Sequence, residues 1–346
     1  MLQGSPCRAI TIRYTTRWNR QLQQSSVDSS LPQEASGVVF LDKPIGWTSR
    51  QAVNEVARLY SVKGRKMIKA GHAGTLDPLA TGMLPIMVGE ATRFSGVGIN
   101  ADKSYRFTCD LSFQTDTLDA EGEVTERFDV AITPADIEKT VKRFTGDIEQ
   151  QPPSYSAIHV NGERAHDIMR KGGEVELPTR PVRIHSLKLI SFESPLLTLE
   201  VHCSKGTYVR SLARDIGLAL GVGGCVTVLR RLSTAGWPEV VMVGFDQLKA
   251  APEACLLPLP QWLRHLPRLK LQQADALRYA QGQRIQLSRG NEGEYAVFCA
   301  ADPSTPDAEP LLLGTGIIKP GIQRMILHPL RVLPSALPGL MAQQDN

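Results

Sequence analysis

Segments with the apolar alternation of strands and segments with the apolar spacing of helices occur in an irregular order along this chain, and that order most limits its fold. Residues 105–111 and 197–203 alternate apolar and polar side chains, which predicts half-buried strands. Residues 49–60 and 207–220 repeat apolar side chains at helical spacing, so two helices are predicted, one capped by Ser49 and one starting at Thr207. These segments follow no regular βαβ rhythm. We therefore expect an α+β fold with a central mixed, mainly antiparallel sheet rather than a doubly wound one.

Further elements fit the same fold class. The apolar runs 37–42 and 83–88 are short enough to be buried strands. Thr133 and Pro134 predict the start of a helix that Gly146 would end.

The Pro-rich stretch 256–260 predicts a linker, and the segments beyond it mostly have the period of short strands. We therefore expect a first domain over residues 37–258 and a small β-rich domain over 265–333. Residues 334–346 are expected to form a loose tail.

The first 36 residues differ in composition from the rest. Residues 1–27 contain four arginines, many serines and threonines, and no acidic residue. This composition resembles a mitochondrial transit peptide, whereas a poor helical apolar face favours a disordered tail or a start codon assigned too far upstream. In either case residues 1–36 are expected to lie outside the fold. The location predicted is cytoplasmic, with mitochondrial as the alternative.

Composition limits the classes of ligand. The chain of 346 residues has 39 Lys and Arg against 35 Asp and Glu, a net charge of +4 that permits a nucleic-acid partner without requiring one. The six cysteines form no C-x-x-C pair, and no histidine pair has helical ligand spacing, so no metal is predicted. No complete G-x-G-x-x-G or P-loop motif occurs, so no cofactor is predicted either. No apolar run is long enough to span a membrane.

The segment 71–82 is the most unusual in the chain. Three glycines and Pro78 bend the backbone around one acid, Asp77, with His72 nearby. A carboxylate in such a rigid loop can be positioned for catalysis, or Asp77 can serve as an ordinary turn residue before proline.

The string from Gly71 to Pro85, GHAGTLDPLATGMLP, resembles the signature loop of the TruB family of tRNA pseudouridine-55 synthases. Six further motifs match those of the family in order: Leu41-Asp42-Lys43-Pro44, Lys103-Ser104-Tyr105-Arg106, Thr115-Asp116-Thr117-Leu118-Asp119, Pro153-Ser154-Tyr155-Ser156-Ala157, Ser204-Lys205-Gly206-Thr207-Tyr208-Val209-Arg210 and Leu229-Arg230-Arg231-Leu232. These matches span residues 37 to about 240. Residues 265–333 are more weakly similar to the PUA-type RNA-binding module of these enzymes.

The resemblance implies a pseudouridine synthase fold and an isomerase that needs no cofactor and no metal. It makes Asp77 the essential nucleophile or base, Arg210 its salt-bridge partner, and Tyr105 the residue that stacks on the target base. Either role of Asp77 requires an oriented carboxylate, and a nearby cation fixes its direction. Without the resemblance, Arg210 would be read as a surface arginine and Tyr105 as a core residue of a strand.

Four further residues take roles from the resemblance. Tyr208 and Leu229 match residues that line the base pocket; without the resemblance both would be read as core residues, and for Leu229 that alternative stays open. His72 matches the residue that fills the space left by the flipped uridine. Lys43 matches a lysine near the pocket, or it contacts phosphate, as could the run 63–69 and Arg230-Arg231.

The partner implied is the T-loop of tRNA, bound by a monomer without guide RNA or membrane. Two alternatives remain: a non-catalytic RNA-binding or RNA-folding protein on the same scaffold, and an RNA-guided synthase. Residues 150–172 resemble the stand-alone form more closely, although His159 and His166 replace the lysine and tyrosine common in the family.

Overall fold

The structure is a computed structural model that describes residues 35–156, 158–160, 162–300 and 309–342. The extension predicted for residues 1–36 lies outside the described residues, except for its last two positions. Within the described part, no helix combines the length and the apolar character needed to cross a membrane.

Strands and helices alternate irregularly up to residue 250. The strands are β1 (Gly37–Lys43), β2 (Ala70–His72), β3 (Thr81–Val88), β4 (Lys103–Asp110), β5 (Phe113–Thr115), β6 (Val124–Arg127), β7 (Gly146–Gln150), β8 (His159–Val160), β9 (Glu163–Arg164), β10 (Arg180–Glu193), β11 (Leu196–Cys203) and β12 (Cys225–Thr234). The helices are α1 (Ser49–Tyr60), α2 (Ser95–Ile99), α3 (Pro134–Arg143), α4 (Ala165–Arg170), α5 (Val209–Leu220) and α6 (Phe245–Ala250).

Eight of these strands form one sheet in the order β1-β3-β12-β4-β11-β10-β7, with β2 also paired to β3. The β3–β12 pair is parallel, whereas the other pairs of this sheet are antiparallel. The hairpins β5–β6 and β8–β9 lie outside it. The predicted mixed, mainly antiparallel sheet is therefore confirmed.

The C-terminal part contains a second sheet. Its strands are β13 (Arg268–Leu271), β14 (Ile285–Leu287), β15 (Gly293–Cys299), β16 (Leu312–Pro320) and β17 (Met325–Val332), in the order β13-β15-β16-β17-β14. Helices α7 (Leu259–Trp262), α8 (Gln273–Ala280) and α9 (Ala336–Ala342) accompany it. The overall class is α+β, as predicted.

Strand β1 contributes to two cores because both of its faces are buried. Val39 and Leu41 join a core with α1, α3 and α5, whereas Val38 and Phe40 join a second core with Trp262 and the C-terminal sheet. A strand buried on both faces reads as a continuous apolar run, which is the pattern of residues 37–42.

The starts of two helices differ from those predicted. Thr48, not Ser49, is the N-cap of α1, because its hydroxyl accepts from the backbone of Gln51 and the Gln51 side chain accepts in return. Helix α5 begins at Val209 rather than Thr207, because the buried side chain of Gln150 bonds both backbone groups of Tyr208 and holds that residue extended.

Three other predictions about segment ends also need correction. Helix α3 ends at Arg143, three residues before Gly146, which instead opens β7. The Pro-rich stretch 256–260 is not a free linker, since Leu257 exchanges two backbone hydrogen bonds with Val38. The predicted loose tail contains α9, because Ala336 and Leu340 are apolar enough to be buried in the second core.

Candidate active site

Asp77 lies in the loop between β2 and β3, facing the start of α5. Its Oδ2 is 3.0 Å from Nε of Arg210, and its side chain is 35% exposed whereas that of Arg210 is 7% exposed. Among the described residues, the Asp77 side chain makes one polar contact, which is this ion pair. The loop thus presents a carboxylate that is fixed on one side and open on the other.

Arg210 is held by more than Asp77. Its Nη1 donates to the carbonyl of Thr117 and lies 3.3 Å from the buried carboxylate of Asp119, and its Nη2 donates to the carbonyl of Tyr155. Asp119 is itself fixed, because its Oδ1 accepts from the Thr117 hydroxyl at 2.7 Å. A planar guanidinium with so many fixed acceptors has little freedom to turn, so it aligns Asp77.

Two residues on the side of α1 hold residues 73–80, the loop that carries Asp77 and is called the catalytic loop below. Lys43 is fully buried, and its Nζ donates to the carbonyls of Pro44, Trp47 and Pro78. Ser49 is also buried, and its Oγ both donates to the carbonyl of Leu76 and accepts from its N–H. The backbone is therefore fixed immediately before and after Asp77. Burial lowers the pKa of Lys43 to about 8, an effect that Asp77 partly opposes.

Arg231 holds the loop from the opposite side and is fully buried. Its guanidinium donates to the carbonyls of Gly74, Thr75 and Met83. Tyr105 lies directly opposite Arg231 in the β4–β12 register. Burial raises the pKa of the Tyr105 phenol, whereas the positive charge of Arg231 lowers it.

Gly82, the second residue of β3, occupies a position that requires glycine. Its φ is +94°, and a Cβ there would lie 2.3 Å from the carbonyl oxygen of Arg231. The close parallel approach of β3 to β12, which brings Arg231 behind the loop, thus depends on the missing side chain.

The remaining predicted residues surround this centre. Tyr208 precedes α5, and the Arg180 guanidinium lies 4.8 Å from the centroid of its ring. Leu229 is buried in the same core as Tyr105. Nδ1 of His72 is buried without a hydrogen-bond partner among the described residues. Burial lowers the pKa of His72, and the charges of Arg231 and Arg50 lower it further, so the ring is neutral at pH 7.

Sequence reasoning missed several supporting residues. Ser49, Gln150 and Arg231 act on the backbone of distant segments, which no local pattern reveals. The suggestion that Lys43 and Arg231 contact phosphate is wrong, because both are buried and bonded to carbonyls. Arg230 is instead paired with Asp42 and Glu239. Within the described residues, the one group of three side chains spaced to hold a metal lies away from Asp77, at the Asp102 end of β4.

Comparisons with known proteins agree on a class. Two solved structures have a similar fold. A Cbf5-Nop10-Gar1 complex matches with a TM-score of 0.63 and 24% identity, over 86% of this chain and 84% of that one. An archaeal box H/ACA sRNP Nop10-Cbf5 complex matches with a TM-score of 0.60 and 21% identity, over 86% of each chain. At these identities the likeness concerns the fold alone. Family models describe a TruB family pseudouridylate synthase N-terminal domain at residues 58–209 and a tRNA pseudouridylate synthase B C-terminal domain at residues 210–264. The fold and the site are therefore those of a pseudouridylate synthase.

Curated relatives show to which family of pseudouridylate synthases the chain belongs. A tRNA pseudouridine synthase B from Ralstonia pickettii is 40% identical over 84% of this chain and 93% of the relative. One from Caulobacter is 45% identical over 73% and 82%, respectively. The chain belongs to the TruB family.

Proposed function

We propose that this protein converts uridine 55 in the T-loop of tRNA to pseudouridine. The observation that carries the proposal is the Asp77 carboxylate, ion-paired to Arg210 and held in a rigid loop with one side open. Relatives named tRNA pseudouridine synthase B, at 40–45% identity, support tRNA as the substrate.

The reaction is an isomerisation, so its atoms balance without an added reactant. The bond from ribose C1′ to uracil N1 breaks, a bond from C1′ to C5 forms, C5 loses its hydrogen as a proton, and N1 gains one. The open oxygen of Asp77 is the group that reaches the nucleotide, as nucleophile or as base. Arg210 keeps that oxygen directed outward throughout, since its other contacts are fixed.

The target uridine has to leave the stack of the T-loop before a carboxylate in a pocket can reach it. In this proposal Tyr105 stacks on the flipped base, while Tyr208 and Leu229 line its pocket. His72 fills the space the base leaves. A neutral ring suits this role because it carries no charge that would need a counter-ion among stacked bases.

We further propose that the protein acts as a monomer on naked tRNA without a guide. The cation above Tyr208 supports direct RNA binding, since Arg180 also lines a surface pocket with Lys205, where a phosphate could reach both side chains. Turnover of a bare transcript would support the proposal, and turnover that appears only with a guide RNA would overturn it. Light scattering of the purified protein tests the monomer.

The experiment that tests the activity is tritium release from a tRNA transcript labelled at uridine C5. Wild type and Asp77→Asn are compared at matched tRNA occupancy, with filter binding measured in parallel. A transcript in which cytidine replaces uridine 55 is the matched substrate control. Release by wild type alone, and from the uridine 55 transcript alone, is the expected result.

Other outcomes have clear meanings. No release by wild type, with tRNA binding retained, would leave an RNA-binding or RNA-folding role on this scaffold. Release from the cytidine transcript would place the target at another uridine.

We also propose a cytoplasmic location. Fusion of residues 1–36 to a fluorescent reporter tests this, and a mitochondrial signal would overturn it.

A further inference from the structure

Three side chains with metal-ligand chemistry meet at one end of the large sheet. Asp102 immediately precedes β4, His202 lies near the end of β11, and His185 lies in β10. These strands are neighbours in the order β4-β11-β10. The three residues are far apart in sequence, so no ligand-spacing motif marks them.

The three potential ligand atoms are close together. One atom from each of the three residues lies within 4.8 Å of the other two. Nε2 of His185 is 3.0 Å from Oδ2 of Asp102, and the two imidazole centroids are 4.9 Å apart. Ligand atoms on a tetrahedral zinc ion lie about 3.4 Å from one another, given bonds of about 2.1 Å. One pair is already within that distance, and a shift of the third atom by at most about 1.4 Å would bring it to the same separation.

A β-bulge brings His185 to this position. The β10–β11 register shifts between Ile184 and Ser186, so His185 is the extra residue beside His202. Bulges redirect side chains at sheet ends. The Ser104 hydroxyl lies 3.0 Å from Nδ1 of His202, which orients the ring and leaves Nε2 as the ring nitrogen available to a metal. A hydrogen-bonded partner of this kind accompanies most metal-binding histidines.

We propose that Asp102, His185 and His202 bind a divalent transition-metal ion of the zinc class. Two imidazoles and one carboxylate suit zinc, nickel or cobalt and disfavour magnesium or calcium, which prefer oxygen ligands alone. Three protein ligands leave a further position for water. The ion would join the ends of three adjacent strands.

This metal site is separate from the proposed catalytic centre. Ser104 and His202 are cross-strand partners, whereas Tyr105 is the next residue along β4 and its side chain points to the opposite face of the sheet. Tyr105 is buried in the core, and Asp102 and His185 are exposed. Variants at the metal site can therefore be tested while the active site stays intact.

The test uses the full-length protein, freed of metal with a chelator and then titrated with Zn²⁺ against a chromophoric chelator. His185→Ala and His202→Ala remove one ligand each. His159→Ala is the matched control, because His159 is an exposed strand histidine outside the cluster. We expect one zinc per chain in wild type and in His159→Ala. Affinity should fall by at least about 10-fold in each ligand variant.

Cobalt distinguishes the cluster from the cysteines. Co²⁺ bound by nitrogen and oxygen gives weak visible bands, whereas thiolate ligands add an intense near-ultraviolet band. We expect the visible bands alone, and we expect Zn²⁺ to raise the thermal midpoint of wild type but not of His185→Ala.

Zinc binding that survives both ligand variants, a thiolate band, or no binding up to millimolar Zn²⁺ would each overturn the proposal. Circular dichroism and tritium release by the variants show that they are folded, so a loss of affinity cannot be attributed to unfolding.

Discussion

Arg231 is the residue whose substitution best tests how the catalytic loop is positioned. It is fully buried and donates to the carbonyls of Gly74, Thr75 and Met83, at 3.1, 3.3 and 2.6 Å. Arg231→Lys keeps the charge but places all donors on one nitrogen at the end of a shorter stem. Lysine therefore cannot serve acceptors spread along the loop and β3.

The expected magnitude follows from the bonds lost. Hydrogen bonds from a charged donor contribute about 1.5–3 kcal/mol each, so losing two of them lowers the free energy of unfolding by about 3–6 kcal/mol. Displacement of Asp77 by about 1 Å would lower the rate of the chemical step on the order of 100-fold. The affinity for tRNA should stay near that of wild type, because Arg231 is not exposed to the RNA.

The assay is single-turnover tritium release at saturating enzyme, with tRNA binding and circular dichroism measured on the same sample. Arg230→Lys is the matched control, since Arg230 is the neighbouring residue but pairs with Asp42 and Glu239 at the surface. It should cost about 1.5–3 kcal/mol, because lysine cannot reproduce the two parallel hydrogen bonds to the Asp42 carboxylate, and it should leave the rate nearly unchanged. A folded Arg231→Lys variant with the wild-type rate would show that Arg231 does not position Asp77, and an equal loss of rate in Arg230→Lys would show that the effect is not specific to Arg231.

Three further predictions address the cores, the pH dependence and the loop. Trp262 is 1% exposed and joins β1 to the C-terminal sheet. Trp262→Ala should therefore lower the free energy of unfolding by about 3–5 kcal/mol in urea titrations. A loss below about 1 kcal/mol would contradict tight packing at this side chain. Burial lowers the pKa of Lys43 from 10.5 to about 8. Between these two pH values the folded protein therefore binds fewer protons than the unfolded chain. The free energy of unfolding consequently gains a contribution that rises with pH. Lys43→Met removes that contribution, so its deficit relative to wild type should be larger at pH 10 than at pH 7; an equal deficit at both would show that the pKa is not lowered. Ser49→Ala deletes both hydrogen bonds to Leu76. We expect the free energy of unfolding to fall by about 1–3 kcal/mol and turnover to become slower. An unchanged rate would mean that these two hydrogen bonds do not position Asp77.

Much of the architecture was predictable because it depends on local pattern. The alternation in 105–111 and 197–203 predicted β4 and β11, and the buried run 37–42 predicted β1. Predicted element ends were wrong where a distant side chain intervened, as when Gln150 holds Tyr208 out of α5. The α9 helix was missed because its burial depends on the second core rather than on its own short sequence.

The candidate carboxylate could be identified from the sequence alone. Gly74 and Gly82 permit the positive φ that the backbone adopts on either side of Asp77, and Pro78 fixes its own φ, so the residue types of this segment are enough to single out Asp77. The family motifs assigned the partners by resemblance, and the fold places Arg210 against Asp77.

Only the tertiary structure decided which charged residues are buried and which ones meet. Arg230 and Arg231 are adjacent in sequence, yet one forms surface ion pairs and the other lies wholly inside, because alternate residues of a strand face opposite ways. Likewise Asp102, His185 and His202 meet because three strands pair and one of them bulges. Such contacts depend on register and packing between distant segments, which a local sequence pattern does not encode.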